Sequence, residues 1–232
     1  MRVLGLIPAR GGSKGIPGKN LKVLGGKPLL QFTAETALAS RMLSKVVLSS
    51  DDSDIMHAAA SMGIEVPYKR PAELAQDQTP TLPVVQHAIS YYEGQGEYFD
   101  AVCLLQVTSP FRTTALLDAA VKKFIAHKLD SLVSVLKVPH EFNPHWTFKA
   151  DDSGLLTIAT GDEQLIPRRQ ELPDAYHRDG SIYITRTPVI MEQQSLYGSK
   201  MGFIESSPEN HVNIDTIADW KKAEELLKLN SK

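Results

Sequence analysis

Between Arg10 and Lys19 the sequence gathers Arg10, Lys14 and Lys19 with Gly11, Gly12, Gly15 and Gly18, directly after the apolar run Val3 to Ile7. Glycines let a backbone turn tightly and bring its N–H groups up to a ligand, and cations spaced among them suit a polyphosphate. Ser13 adds a hydroxyl to the same loop. The stretch is not a Walker-type phosphate loop, since no Gly-Lys-Ser/Thr closes it, and the Gly-x-Gly-x-x-Gly spacing of dinucleotide sites is absent as well. A solvated glycine-rich turn is the bland alternative. Position argues against it, because in an open α/β sheet ligands bind beyond the carboxyl ends of the strands.

The loop needs a sheet to hold it. Val3 to Ile7, Lys45 to Ser50, Asp100 to Gln106 and Asp130 to Val135 read as buried strands. They alternate with helical patterns over Leu29 to Leu38, Asp54 to Ser61, Thr81 to Tyr92 and Thr114 to His127. That alternation predicts an α/β fold with a mainly parallel sheet and helices on both faces. Asp51 and Asp52 end the second strand and read as caps of the helix that follows, ahead of metal binding. Further on, Ser181 to Thr185 and Met201 to Ile204 read as strands and Thr187 to Gln194 as a helix. Ile217 to Leu229 reads as an amphipathic terminal helix behind a Thr216 cap. Between Lys137 and Asp179 the period breaks around Pro139, Pro144, Pro167 and Pro173, with weak alternation only at Leu155 to Ala159. An irregular insertion of that length is usually functional or engaged with a partner.

Two more positions suit ligand recognition. Arg70 stands in a proline-rich loop and is suited to reach a phosphate or base. Gln106 leaves an apolar strand carrying an amide able to read the edge of a base, or else to bond its own loop backbone.

The chain has 232 residues, 42% of them hydrophobic and 22% charged, enough for a sizeable core. Its 25 basic and 27 acidic side chains leave a net charge of -2, so no global electrostatic feature marks a nucleic-acid or membrane-surface binder. Cys103, the only cysteine, lies in the apolar run Ala101 to Leu105 and reads as a buried core thiol with no disulfide partner. With no signal-peptide layout and no apolar run approaching a membrane span, a reducing cytoplasm is the expected location.

Five segments in order resemble those of the CMP-sialic acid synthetases, the acylneuraminate cytidylyltransferase or CMP-nonulosonate synthetase family. They are Ile7 to Asn20, Arg70 to Asp77, Leu104 to Arg112, Gly180 to Tyr183 and Asn213 to Thr216, and the resemblance spans nearly the whole chain. It implies a Rossmann-like nucleotidyltransferase domain over residues 1–232, with residues 137–179 inserted for dimerisation and reaching into the neighbouring subunit's acceptor site. The implied reaction joins CTP to a free 2-keto-3-deoxy sugar acid, giving the CMP-sugar and pyrophosphate, with Mg2+ bridging the phosphates.

By the same resemblance Arg10, Lys14 and Lys19 would hold the triphosphate with Gly11, Gly12 and Ser13, and Lys19 would also face the leaving pyrophosphate. Asn20, Arg70 and Thr81 would contact base and ribose, and Gln106 and Tyr183 the sugar. Asp215 would hold magnesium and help deprotonate the sugar hydroxyl; alone, it would read as a helix cap. Three departures stand out. Asn213 replaces the first acid of the last motif, leaving a neutral ligand for either a water or Asp179 to supplement. Trp146 stands near the place of the family's substrate-facing lysine, and His177, beside Arg178, stands where the family has an arginine. Arg168 and Arg169 remain as cations able to cross to the neighbouring site. Another 3-deoxy-ulosonate or a phosphonate as acceptor, or a CTP-binding regulatory protein weakened by Asn213, stay open as alternatives.

Overall fold

The computed structural model describes residues 1–230. The chain opens with β1 (Val3–Pro8), and the glycine loop then leads into a small ribbon of β2 (Val23–Leu24) and β3 (Lys27–Pro28) and into α1 (Leu29–Leu38). Next come β4 (Lys45–Ser49), α2 (Ser53–Ser61), α3 (Thr81–Gly94), β5 (Ala101–Leu104), α4 (Thr114–Ala126) and β6 (Ser131–Lys137). Two short strands, β7 (Phe148–Ala150) and β8 (Leu156–Ile158), precede β9 (Tyr176–Arg186), α5 (Thr187–Met191), β10 (Met201–Glu205) and α6 (Ile217–Asn230).

The main sheet has six strands in the order β10-β6-β9-β5-β1-β4. β1 pairs in parallel with β4 and β5, and β10 with β6, while β9 runs antiparallel to both β5 and β6. The sheet is therefore mainly parallel, and its strands are apolar because both faces are covered. Ile7, Leu48, Cys103, Leu132 and Ile184 pack with α1, α2, α4 and α6 on one face. Leu4, Leu6, Val102, Val133 and Tyr183 pack with α3 and α5 on the other. Cys103 is fully buried, as expected of a core thiol, and burial pushes its pKa up to about 12.

Helix starts follow local chemistry. Asp52 accepts the N–H groups of Asp54 and Ile55 at 2.9 and 3.0 Å and caps α2. Thr216 and Asp219 cap α6 reciprocally: the carboxylate accepts the Thr216 N–H at 2.7 Å, and the hydroxyl accepts the Asp219 N–H at 3.3 Å.

β9 differs most from expectation. It starts at Tyr176, inside the irregular segment, because Tyr176 to Arg178 pair with Lys137 to Val135 although their side chains carry no apolar alternation. Register shifts between Val133 and Val135, where the Ser134 hydroxyl accepts the N–H of Ile182 at 2.7 Å. α5 ends at Met191, three residues short of Gln194. The rest of residues 137–179 forms only the β7–β8 pair and single turns of 3-10 helix.

Candidate functional site

The glycine loop leaves the carboxyl end of β1 and is fastened at three places. Gly11 donates its N–H to Asp51 Oδ1 at 3.1 Å, so of the two aspartates one anchors the loop while the other caps α2. The Asn20 side chain, nearly buried, donates to the carbonyl of Arg10 at 2.9 Å and braces the loop across its base. Gly15 lies so close to the last motif that an added Cβ would meet the Asp215 carbonyl oxygen at 2.2 Å, and only glycine permits that approach. Lys19 completes the contact, donating its ammonium to the Ile214 carbonyl at 2.7 Å and to Asp215 Oδ1 at 3.2 Å.

Above this joint lies a cavity of about 360 Å³. Arg10, Ser13, Lys19, Asn20, Arg70 and Thr81 line it, together with Gln106, Asn213 and Asp215, so residues from four of the matched segments and from the start of α3 converge on one space. Gly11, Gly12 and Lys14 belong to the loop but do not line the cavity. Arg70 is buried and held by the hydroxyl and carbonyl of Ser49, and burial lowers its pKa. The Gln106 side chain makes no hydrogen bond among the described residues, so its amide is not spent on its own loop; its carbonyl accepts from Arg112 at 2.8 Å.

Asn213 donates its amide nitrogen to Asp215 Oδ2 at 2.9 Å, while its amide oxygen is buried without a partner. One carboxylate, one unspent amide oxygen and incoming phosphates form a donor set of the kind magnesium takes. No group of three acid, histidine or cysteine side chains gathers to hold a metal among the described residues. Asp179 does not supplement the pair: it is buried and accepts from the Ser134 and Ser206 hydroxyls and the Ser181 N–H.

Arg168, Arg169, His177 and Tyr183 do not reach this cavity within the chain. Arg168 pairs with Glu171 on the exposed segment, and His177 Nδ1 lies 3.3 Å from the Arg178 carbonyl. Tyr183 is packed in the core among residues of β5 and β6, where burial raises its pKa. Trp146 donates its indole N–H to the Ile166 carbonyl at 2.7 Å, tying the irregular segment to itself.

Two residues to which the sequence reading gives no role are placed by the structure at or beside the cavity. Asp77 lines the cavity and pairs with both Arg10 and Lys14. Its place at the end of a proline-rich loop gives no period from which its direction could be read. Arg112 is buried and donates to the Ser181 and Gln106 carbonyls at 2.7 and 2.8 Å, joining the β5 exit to β9. An arginine shortly after a buried strand was the available signal.

A basic glycine loop at the carboxyl end of β1, facing an acid across a cavity in a mainly parallel sheet, is the layout of a nucleotidyltransferase. The cytidylyltransferase family profile matches residues 4–231. CMP-N,N'-diacetyllegionaminic acid synthase of Legionella pneumophila is 36% identical, covering 99% of this chain and 98% of that protein. Pseudaminic acid cytidylyltransferase of Campylobacter jejuni is 33% identical, covering 99% and 98%. The solved structure of CMP:2-keto-3-deoxy-manno-octonic acid synthetase complexed with CTP has a TM-score of 0.74 at 18% identity, covering 99% of this chain and all of that one, which is a likeness of fold. The chain belongs to the cytidylyltransferase family, within the group of the CMP-nonulosonate synthetases.

Proposed function

We propose that the protein activates a nonulosonic, sialic-acid-like sugar acid with CTP, giving the CMP-sugar and pyrophosphate. The observation that carries this is the convergence of Arg10, Ser13, Lys19, Arg70, Gln106 and Asp215 on one cavity in a chain of this family. The anomeric hydroxyl of the sugar attacks the α-phosphorus. A P–O bond forms as the bond to the β-phosphate bridging oxygen breaks, pyrophosphate leaves, and the hydroxyl proton passes to a carboxylate. Asp215 is suited to take that proton, being 62% exposed at the cavity while Lys19 and Asn213 keep it oriented. Arg10, Lys14 and Lys19, with Ser13 and the loop at Gly11 and Gly12, spread the charge of the phosphoryl oxygens, and positioning does most of the work. Asn20, Arg70 and Thr81 hold base and ribose, and Gln106 offers its amide to the sugar. Mg2+ held by Asp215 and the Asn213 amide oxygen, with the phosphates, would supply further charge neutralisation.

We read residues 1–232 as one nucleotidyltransferase domain with residues 137–179 as a dimerisation arm, working in the cytoplasm as a homodimer. Phe142, Phe148, Leu155, Leu156 and Leu165 are exposed on that arm, which supports burial against a second copy. In that arrangement Arg168, Arg169 and His177 serve the neighbouring acceptor site, with Tyr183 behind it. The test is pyrophosphate release with CTP, magnesium and a panel of sialic, legionaminic and pseudaminic acids. Release that requires both CTP and one of these acids is expected, and silence across the panel rejects the reading.

A further inference from the structure

The Arg10 guanidinium lies 3.0 Å from Asp77 Oδ1, and the Lys14 ammonium lies 2.5 Å from Oδ2 of the same carboxylate. Arg10 also donates to the Gln76 carbonyl at 2.9 Å. One acid therefore spans two cations of the glycine loop, bridging them with two oxygens as a phosphate group does. Asp77, Gln76 and Arg10 line the same cavity, so this contact stands within the ligand space. The side chains of Arg10 and Asp77 are about one third exposed and that of Lys14 is 78% exposed; ion pairs so wetted are weak and exchange readily.

We propose that Asp77 occupies the triphosphate subsite of the free protein as a phosphate surrogate that the incoming triphosphate must displace, so that it weakens the hold on CTP and pyrophosphate while leaving a monophosphate unaffected. The proposal rests on the reading of the loop as a triphosphate site. A triphosphate offers several charged oxygens to Arg10 and Lys14 at once and outcompetes a single carboxylate. A nucleoside monophosphate carries about two charges and no β or γ group, so it leaves the Asp77 contacts in place. Once the α-β bond is broken, Asp77 competes with pyrophosphate for the same cations and favours its release.

Equilibrium titrations of CTP, pyrophosphate and CMP into the full chain and its Asp77→Asn variant, at low and high salt, test this. The variant is expected to bind CTP and pyrophosphate about threefold to tenfold more tightly at low salt, with CMP changed less than about twofold, and the gain shrinks as salt screens the pairs. Asp77→Ala, expected to behave alike, guards against an effect peculiar to the amide. A variant that binds CTP no tighter than the wild type overturns the proposal and leaves the triphosphate reading standing. A wild type that binds neither CTP nor pyrophosphate overturns that reading, and the proposal with it.

Discussion

The Lys19 ammonium lies 3.2 Å from Asp215 Oδ1, so the last cation of the amino-terminal loop and the acid of the last motif form one unit although 196 residues separate them. The Lys19 side chain is only 12% exposed. A cation so enclosed, beside the Asp215 carboxylate and the Ile214 carbonyl, is already aimed before any ligand arrives, which is what charge stabilisation in a transition state requires. Lys19→Ala is therefore expected to lower kcat/KM by roughly 10²- to 10³-fold, the range for loss of one such donor. Steady-state kinetics with CTP and an accepted sugar acid measure it. A variant within about twofold of wild type removes Lys19 from the machinery.

Gly15 tests the same joint from the backbone side. The methyl of Gly15→Ala would stand 2.2 Å from the Asp215 carbonyl oxygen, so loop and last motif must move apart. Misplacing reacting groups by an ångström is costly in rate, and kcat/KM is expected to fall about tenfold or more together with the melting temperature. At Gly12 an added carbon meets nothing within 4 Å, and Gly12→Ala is expected to keep the melting temperature of the wild type. Equal melting curves for both variants would show that the close approach is not structural.

Which parts of this were legible follows from where the physical signal lies. Buried parallel strands must be apolar on both faces, so β1, β4, β5 and β6 stand out as runs, and Asp52 and Thr216 mark helix starts by their chemistry. Arg10, Ser13, Lys19 and Asn20 were readable because they lie together on one loop. Arg70, Thr81, Gln106, Asn213 and Asp215 were readable as a set only through their order along the chain. Asp77 was not, since an acid among prolines has no period and its partners are fixed only by the folded loop. The antiparallel start of β9 was hidden for the same reason: Tyr176 to Arg178 are paired by backbone hydrogen bonds while their side chains face solvent.

Asn213 holds the carboxylate of Asp215 by an N–H···O bond of 2.9 Å, a neutral contact where a second acid would demand a cation. Asn213→Asp replaces that donor with a like charge, and the resulting pair is relieved by a divalent ion. The expected outcome is tighter magnesium binding, seen as a lower half-saturating magnesium concentration in the activity assay and as stronger manganese binding without substrate. Unchanged affinity in both measurements would place Asn213 outside the metal shell.

Leu155 and Leu156 expose 67% and 62% of their surface on the short β7–β8 arm, more than a small strand pair tolerates without a cover. Light scattering is expected to report a dimer for the wild type. Leu155→Ser with Leu156→Ser is expected to shift it toward monomer and to lower activity through loss of the neighbouring subunit's arm, while secondary structure by circular dichroism stays the same. A wild type that is monomeric at assay concentration removes the arm from the site.

Two histidines are expected to govern the acid side of the stability curve. His87 packs edge-on against the Tyr68 ring at 4.6 Å with Nδ1 buried and unpartnered; burial first, then the Arg70 charge, lowers its pKa. His211 is lowered chiefly by burial. In the unfolded chain both titrate near about 6.5, so below that pH the unfolded state takes up protons that the folded state refuses. Stability is therefore complete above the unfolded value and declines as pH falls from there toward the depressed folded values. The buried or ion-paired carboxylates act in a lower window, since their depressed pKa values place their loss below about 4. Thermal melts are expected to give a lower melting temperature at about pH 5.5 than at about pH 7.5. The double variant His87→Gln and His211→Gln is expected to flatten that difference, and an undiminished slope in the variant would assign the acid sensitivity to other groups.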